Sequence, residues 1–501
     1  NYTNRYTQRF SATYVTGSHT YKTGAQLEEL FTDNFIHGNS NVSYAFRNGV
    51  PQSLTQRTTP YLEQEGAREL GLFVQDQWRV SRWTFNYGVR FDYINGYVPA
   101  QDLPGSPRPL DKFDDRFPGA LRSNPWVGER HFDARSGIPS WKDLNPRLGA
   151  SWDLFGNGRT ALKMSVGRYV AKTGVDIPNQ LNPITTSVNN ANRAWTDTNK
   201  NFVPDCDLGN FAKNGECGAL NNANFGKNNP LASSWTDAVL NGWGVRDNNW
   251  DMSYEVQHEL TQGLSLTAGY YRNTGGYNRN TNSKQRVTDN ILVGPADYDT
   301  YCITAPKDDR LPGGGGYQVC GLADIKPATF GLVENVTKAT GEFGTDKRYN
   351  DFLGVGLSAR LRGGIRVSGG LDTGRSVSDL CFVVDSPADT ATTINGEPIC
   401  RVITPFKAQT QVKLNGSVPL PKGFVASGVY QDLAGTAISA TYAAPTAEIA
   451  PSLGRNLAGG VRTATVPLVV PQTLFEGRTR RLDLRLTKNL QLTQRVRLQA
   501  N

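Results

Sequence analysis

The chain has no run of about 18 consecutive apolar residues, the length a membrane-crossing helix needs, and its mean hydropathy is −0.47. That excludes transmembrane helices but not transmembrane strands, whose apolar positions are hidden by alternation. Tracts of one charge are also missing: 53 Lys and Arg stand against 45 Asp and Glu, a net +8 over 501 residues. These charges are scattered singly, which is not the footprint of a nucleic-acid partner. Histidine is scarce (His19, His37, His131, His258) and there is no CxxC, so the spacing of a zinc site is absent. No GxSxG, HExxH or P-loop occurs; Gly354-Val355-Gly356 sits inside an alternating stretch, and Gly313 to Gly316 reads as flexible loop. An enzyme is not expected. No Pro/Gly/Ser linker divides the chain, and Asn1 does not open a signal peptide, so a mature, trimmed or incomplete form of one continuous domain is expected.

What the chain does have is period-two patterning. From Trp83 to Tyr93 the odd positions are apolar (Trp83, Phe85, Tyr87, Val89, Phe91, Tyr93), while Thr84, Asn86, Gly88, Arg90 and Asp92 fill the even ones. Such a strand has one wet face and one apolar face. Its partner, Arg68 to Val80, sets Leu70, Leu72, Val74, Trp78 and Val80 against Glu69, Gln75, Gln77 and Arg79, with only Ser81 and Arg82 between the two. The unit recurs at Arg147 to Leu154 with Leu162 to Val166, at Trp250 to Leu260 with Leu264 to Tyr270, and at Phe352 to Leu361 with Ile365 to Thr373. It recurs again at Phe406 to Leu414 with Phe424 to Gln431, and at Arg481 to Leu486.

Every second connection is long: Thr32 to Ala67, Asn95 to Asn145, Ala171 to Asn249, Thr274 to Tyr349, Gly374 to Pro405 and Asp432 to Arg478. Short and long links in strict turn imply a sheet whose two rims face different surroundings. The expected fold is all-β, a transmembrane antiparallel up-and-down barrel of about fourteen strands, with short periplasmic turns and long extracellular loops. Six cysteines fall in the long loops as close neighbours, Cys206 with Cys217, Cys302 with Cys320 and Cys381 with Cys400. Intraloop disulfides in an oxidising compartment are expected.

The phrase Leu72-Phe73-Val74-Gln75-Asp76-Gln77-Trp78-Arg79-Val80, the hairpin that follows it, Asn145-Pro146-Arg147-Leu148-Gly149, Gly167-Arg168-Tyr169 and Arg481-Leu482-Asp483-Leu484-Arg485 together resemble the barrel of TonB-dependent receptors. The loop phrase Trp195 to Leu208 is similar to the large Oar-like branch, whose members often carry a carboxypeptidase-regulatory-like domain. The resemblance implies a Gram-negative outer-membrane protein of 22 strands, a plug and TonB box before Asn1, and a closing strand after Asn501. Residues 1–501 would then be a partial barrel domain. It also implies binding and gating: import of a scarce bulky nutrient, or of a peptide or glycan ligand, driven by a TonB-type energy-coupling complex. A plugless porin-like pore and a surface adhesin or structural protein are the alternatives.

On this reading Arg90, Asp92, Arg147, Lys163, Glu255, Arg366, Arg481, Asp483 and Arg485 face the lumen, toward the plug or simply toward water. Tyr14, Trp78, Trp83, Tyr93, Trp152, Trp250 and Tyr270 form interfacial girdles against outer-membrane lipid. Loop residues Trp126, Trp141, Trp195, Trp235 and Trp243 are candidates for stacking on a ligand or for packing the loops. No cofactor is expected, apart from a candidate calcium site at Asp197, Asn199, Asn201 and Asp205. Their alternating oxygens match the first part of a calcium loop, but Phe202 stands where an EF-hand needs glycine and Leu208 where it needs glutamate.

Overall fold

The computed structural model describes residues 1–38, 40–103, 124–275, 286–344, 347–382, 387–492 and 496–501. Fourteen strands run in chain order through one antiparallel sheet. They are β1 (Tyr2–Thr16), β2 (His19–Ile36), β3 (Tyr61–Val80), β4 (Trp83–Val98), β5 (Arg135–Asp153), β6 (Thr160–Val170) and β7 (Asn248–Thr261). The second half comprises β8 (Leu264–Gly275), β9 (Lys347–Arg360), β10 (Arg366–Asp379), β11 (Gln411–Leu420), β12 (Phe424–Leu433), β13 (Thr479–Gln491) and β14 (Arg497–Ala500). Each pairs with its chain neighbours, as an up-and-down sheet requires. Two short strands attach at the loop end: Asn241–Trp243 runs parallel to β5, and Arg401–Thr404 runs antiparallel to β10.

Strand pairs alternate between links of a few residues and six long loops, as the patterning predicts. At the β7–β8 link Gly263 adopts φ +81°, and an added Cβ there would meet the Arg360 carbonyl oxygen, so the tight turn needs glycine.

The boundaries differ from the sequence reading. The loop expected over Thr32 to Ala67 is shorter, because β2 and β3 stay in register up to Ile36 opposite Tyr61. Likewise β4 runs to Val98 and β5 starts at Arg135, well inside the loop expected over Asn95 to Asn145. The β3 extension is covered on both sides: Leu62 to Ala67 are all buried, whereas Arg68, Leu72 and Val74 below them are exposed. Burial on both faces erases the alternation that a half-exposed strand displays. Phe406–Gln409, expected to open a strand, is a helical turn, and β11 begins at Gln411.

Register carries one apolar face across the sheet. Ala25, Leu72, Phe91 and Leu144 lie opposite one another in a row, as do Val166 with Leu148 and Met252. Leu72, Leu148, Tyr254, Val355 and Leu484 remain exposed on it, an apolar surface far too extensive for water. Near the short turns Trp83 stacks on Trp152 with ring centroids 4.9 Å apart, and Trp78 packs on Phe85 at 5.7 Å, matching the expected girdle.

The long loops fold rather than trail. Tyr298–Thr304 and Gln318–Ile325 pair from one loop, Thr393–Ile394 joins them from the next, and Thr446–Leu453 with Thr441–Pro445 and Thr463–Pro467 comes from a third. Tyr301, Ile303, Val319, Ile394, Ile449 and Val466 share one buried core, so three loops make a single cap. A second small sheet joins Val42–Arg47, Val50–Arg57 and Asn190–Ala194. All three neighbouring cysteine pairs are disulfide-bonded: Cys206–Cys217, Cys302–Cys320 and Cys381–Cys400.

Candidate functional site

The face opposite the apolar band is polar, and all nine residues expected to line the lumen lie on it. Gly88 opposes Arg147, Lys163 opposes Glu255, and the same parity continues through Gly269, Gly354 and Asp372 to Lys413, Gln431 and Arg481. The structure groups Arg90, Asp92, Arg147, Lys163 and Glu255 on neighbouring strands, whereas Arg366, Arg481, Asp483 and Arg485 lie on later strands.

Within the first group Arg90 Nε donates to Asp92 Oδ1 at 2.7 Å, and Asn145 Nδ2 donates to Asp92 Oδ2 at 2.7 Å. Lys163 Nζ reaches Gln257 Oε1 at 2.8 Å, while Glu255 accepts from the Tyr271 hydroxyl at 2.9 Å. The Arg147 guanidinium lies 4.6 Å from the Tyr169 ring centre. Arg90, Asn145, Arg147, Lys163 and Glu255 border a hollow of about 630 Å³, to which Arg9 and Lys22 also contribute. Five basic residues, Arg9, Lys22, Arg90, Arg147 and Lys163, line it against the two carboxylates of Asp76 and Glu255, so an acidic surface or solute suits it best.

Within the apolar band Asp76 breaks the pattern. Asp76 falls on the apolar side, between Val74 and Trp78, and is only 5% exposed. His19 Nδ1 lies 2.6 Å from its Oδ2 and the Tyr87 hydroxyl donates to the same oxygen at 2.7 Å, which keeps a carboxylate tolerable on this face.

At the loop end the polar face is roofed by the loop 171–247. Its helix Asp176–Gln180 sets Ile177 into a small core with Ala67, Ile94 and Trp141 of β3, β4 and β5. Charge holds the same loop inward. Lys172 Nζ pairs closely with Glu28 and lies 3.2 Å from Glu69 Oε2, Arg246 Nη2 meets Glu69 Oε1 at 2.7 Å, and Arg5 Nη2 meets Glu28 Oε1 at 2.8 Å.

Above these pairs, in the loop-covered extension of β3 beyond the apolar band, lies a buried polar knot. Asn182, fully buried, donates to the Gln64 carbonyl at 3.1 Å and accepts from Gln101 Nε2 at 2.9 Å. Its Nδ2 lies 3.5 Å from Glu65 Oε2. Burial, followed by the charge of Glu63, pushes the Glu65 carboxyl up to about 7. Sequence reasoning missed this roof, because polar residues separated by up to 118 positions meet here and local patterning carries no trace of long-range pairing.

In the cap, Arg455 Nε and Nη2 hold Asp299 Oδ2 at 3.1 and 3.0 Å, and its Nη1 pairs closely with Asp324. Its Nη2 also donates to the Ile325 carbonyl at 3.0 Å, and Asp324 accepts the Ala458 amide at 3.0 Å. One arginine therefore ties two loops together.

The loop tryptophans divide. Trp141 and Trp195 are 2% and 1% exposed, so their candidacy for ligand stacking is corrected: both are core. Trp141 donates Nε1 to the Val239 carbonyl at 3.0 Å, and Trp195 packs with Leu54 and Cys217 beneath Tyr44 and Phe46. Trp243 packs on Phe91 at 5.7 Å on the apolar face, a girdle position. Trp126 and Trp235 are half-buried, and Arg286 stands 5.6 Å from the Trp235 ring.

The segment Asp197 to Asp205 forms a chain of side-chain turns. Asp197 accepts the Asn201 and Phe202 amides at 3.1 and 3.0 Å, and Asn199 and Asn201 both donate to Asp205 Oδ2, at 2.6 and 3.1 Å. Phe202, at the glycine position of an EF-hand, takes φ 58°. Among the described residues no three His, Cys, Asp or Glu side chains gather as a metal site.

Residues 1–307 match the family model described as an outer membrane beta barrel domain. The TonB-dependent transporter Oar of Myxococcus xanthus is 24% identical over 232 residues, covering 41% of this chain and 18% of that protein. The outer membrane transporter YddB from Escherichia coli superposes with a TM-score of 0.50 at 11% identity, over 98% of this chain and 48% of that one. The chain thus spans half or less of the length of these relatives.

Proposed function

The chain belongs to the outer membrane beta barrel domain family, and from that premise we propose that it is the wall and extracellular cap of a TonB-dependent receptor importing a scarce, bulky nutrient. It lies in the outer membrane of a Gram-negative bacterium, where its apolar face meets lipid and its long loops face outward. The observation that carries the import reading is the inward fold of loop 171–247, latched to Glu28 and Glu69 of the wall, while three other loops join in a disulfide-tied cap. A pore for passive diffusion gains nothing from a roof held by partly buried ion pairs. A receptor that must capture a ligand outside and admit it on demand needs a roof that can be released. The lumen residues Arg90, Arg147 and Lys163 then face the plug and the passing solute, and the energy for opening comes from a periplasmic coupling complex acting through that plug.

The test is uptake by the intact protein in its own host. With the gene deleted, uptake of one bulky solute at limiting concentration should fall, and a protonophore should abolish that same uptake in the parent strain. Uptake that is unchanged by deletion, or that persists with the proton gradient collapsed, would overturn the reading in favour of an adhesin or a passive pore.

A further inference from the structure

Counted from the short-turn end, several lipid-facing rows stay largely apolar for about ten residues and then become charged. Ten residues at about 3.3 Å each, tilted by about 40°, rise about 25 Å, the height of the hydrocarbon band around an outer-membrane barrel. On β3 the switch comes at Arg68, on β5 at Lys142, on β8 at Arg272, on β10 at Arg375, and on β13 at Arg480, with Arg478 just before the strand. The carboxylates at this level are Glu29, Asp351 and Asp432, each paired with one or two of these arginines.

The group on β8, β9 and β10 is built rather than scattered. Arg272, Asp351 and Arg375 occupy one cross-strand row. Asp351, 7% exposed, accepts Arg272 Nη1 at 3.2 Å, Arg375 Nε at 3.4 Å and the Tyr270 hydroxyl at 2.7 Å. The Tyr349 ring lies 4.9 Å from one guanidinium and 5.8 Å from the other. One carboxylate thus anchors two guanidiniums whose side chains stay 39% and 46% exposed. Each guanidinium carries five N–H donors in a fixed fork, so most of them remain to be satisfied, and acyl chains cannot accept them. Just below, Leu353 and Leu371 of the same strands are exposed to the hydrocarbon. The arrangement recurs at Asp432, which takes Arg478 Nε at 2.7 Å and Arg480 Nε at 3.6 Å.

We propose that Arg272 and Arg375, held by Asp351 and Tyr349, form a headgroup site for a phosphorylated lipid of the outer leaflet. The phosphate is bound between the guanidiniums and the acyl chains lie on Leu353 and Leu371. Net positive charge, bidentate donors and an adjoining apolar strip fit an amphiphile with an anionic head better than a soluble anion.

The experiment uses the full-length protein, delipidated and reconstituted in nanodiscs with a phosphorylated glycolipid or its dephosphorylated form. Tightly retained lipid is counted by native mass spectrometry. The wild type should prefer the phosphorylated form by about tenfold or more, the worth of one or two charge-assisted hydrogen bonds. R272Q/R375Q should lose about one retained lipid per protein. D351N, which removes the internal counter-charge, should retain at least as much as the wild type, and hydrogen exchange of β8 to β10 establishes that each variant keeps its sheet. Equal retention of both glycolipids, unchanged retention in R272Q/R375Q with the sheet intact, or full displacement of the lipid by millimolar inorganic phosphate would each overturn the proposal. The last result would mark a site for the free anion.

Discussion

Replacing Arg455 by alanine should unfasten the cap without touching the barrel. The guanidinium makes charge-assisted bonds to Asp299 and Asp324 and further bonds to backbone carbonyls, in a site where Asp324 is 14% and Asp299 37% exposed. Asp299 is wet enough that losing its partner costs about 0.2–1 kcal/mol. Asp324 is not: alanine leaves it with the Ala458 amide as its remaining partner, and stranding a mostly buried carboxylate costs about 2–3 kcal/mol after allowance for partial exposure. The sum, about 3 kcal/mol, corresponds to a roughly hundredfold larger population of the opened cap. The assay is hydrogen exchange of the protein in its native membrane. Peptides over Tyr298–Ile325 and Thr441–Pro467 should exchange about a hundredfold faster, while β3 to β6 are unchanged. Arg310→Ala is the control, since its side chain is 90% exposed and its pairing with Asp308 is worth almost nothing. Unchanged exchange in the cap, or equal acceleration in the barrel strands, would refute the idea that Arg455 locks the loops into a separable unit.

Three further outcomes follow from the geometry. Between the ordinary carboxyl value of 4.5 and its buried value of about 7, Glu65 holds a proton in the folded state that the unfolded chain has released. Its contribution of about 3 kcal/mol is therefore complete below pH 4.5 and is lost as pH rises through about 7; Glu65→Gln should flatten that slope in melting curves, and an unaltered slope would place the titration elsewhere. Asp76→Ala removes the acceptor shared by His19 and Tyr87 on the lipid face and should cost about 1–3 kcal/mol in detergent unfolding, whereas a stabilised variant would show that the carboxylate is a burden retained for another reason. Asp197→Ala should loosen the turn that caps the Asn201 and Phe202 amides, seen as faster exchange over residues 196–217. Chelator should leave the wild type unchanged there, and a loss of protection on chelation would identify a bound cation.

Much of the barrel was legible in the chain because a half-exposed strand writes its environment into every second residue. Trp83 to Tyr93 fixes two faces locally, and the register then carries Arg90, Arg147, Lys163, Glu255 and Arg481 onto one of them without further information. The cysteine pairs were legible for a similar reason, since each closes within one loop, at separations of 11, 18 and 19 residues. Local patterning could not extend strands into regions buried on both sides, so Tyr61–Ala67 read as loop. Nor could it separate Trp141 and Trp195, which became core, from Trp235, which stayed half exposed, because composition gives all of them the same aromatic surface. The roof over the polar face and the three-loop cap belong to the tertiary structure alone. They depend on Lys172 meeting Glu28 and on Arg455 meeting Asp299, across 144 and 156 residues, and contacts at that range are decided by where the folded wall holds the loop ends.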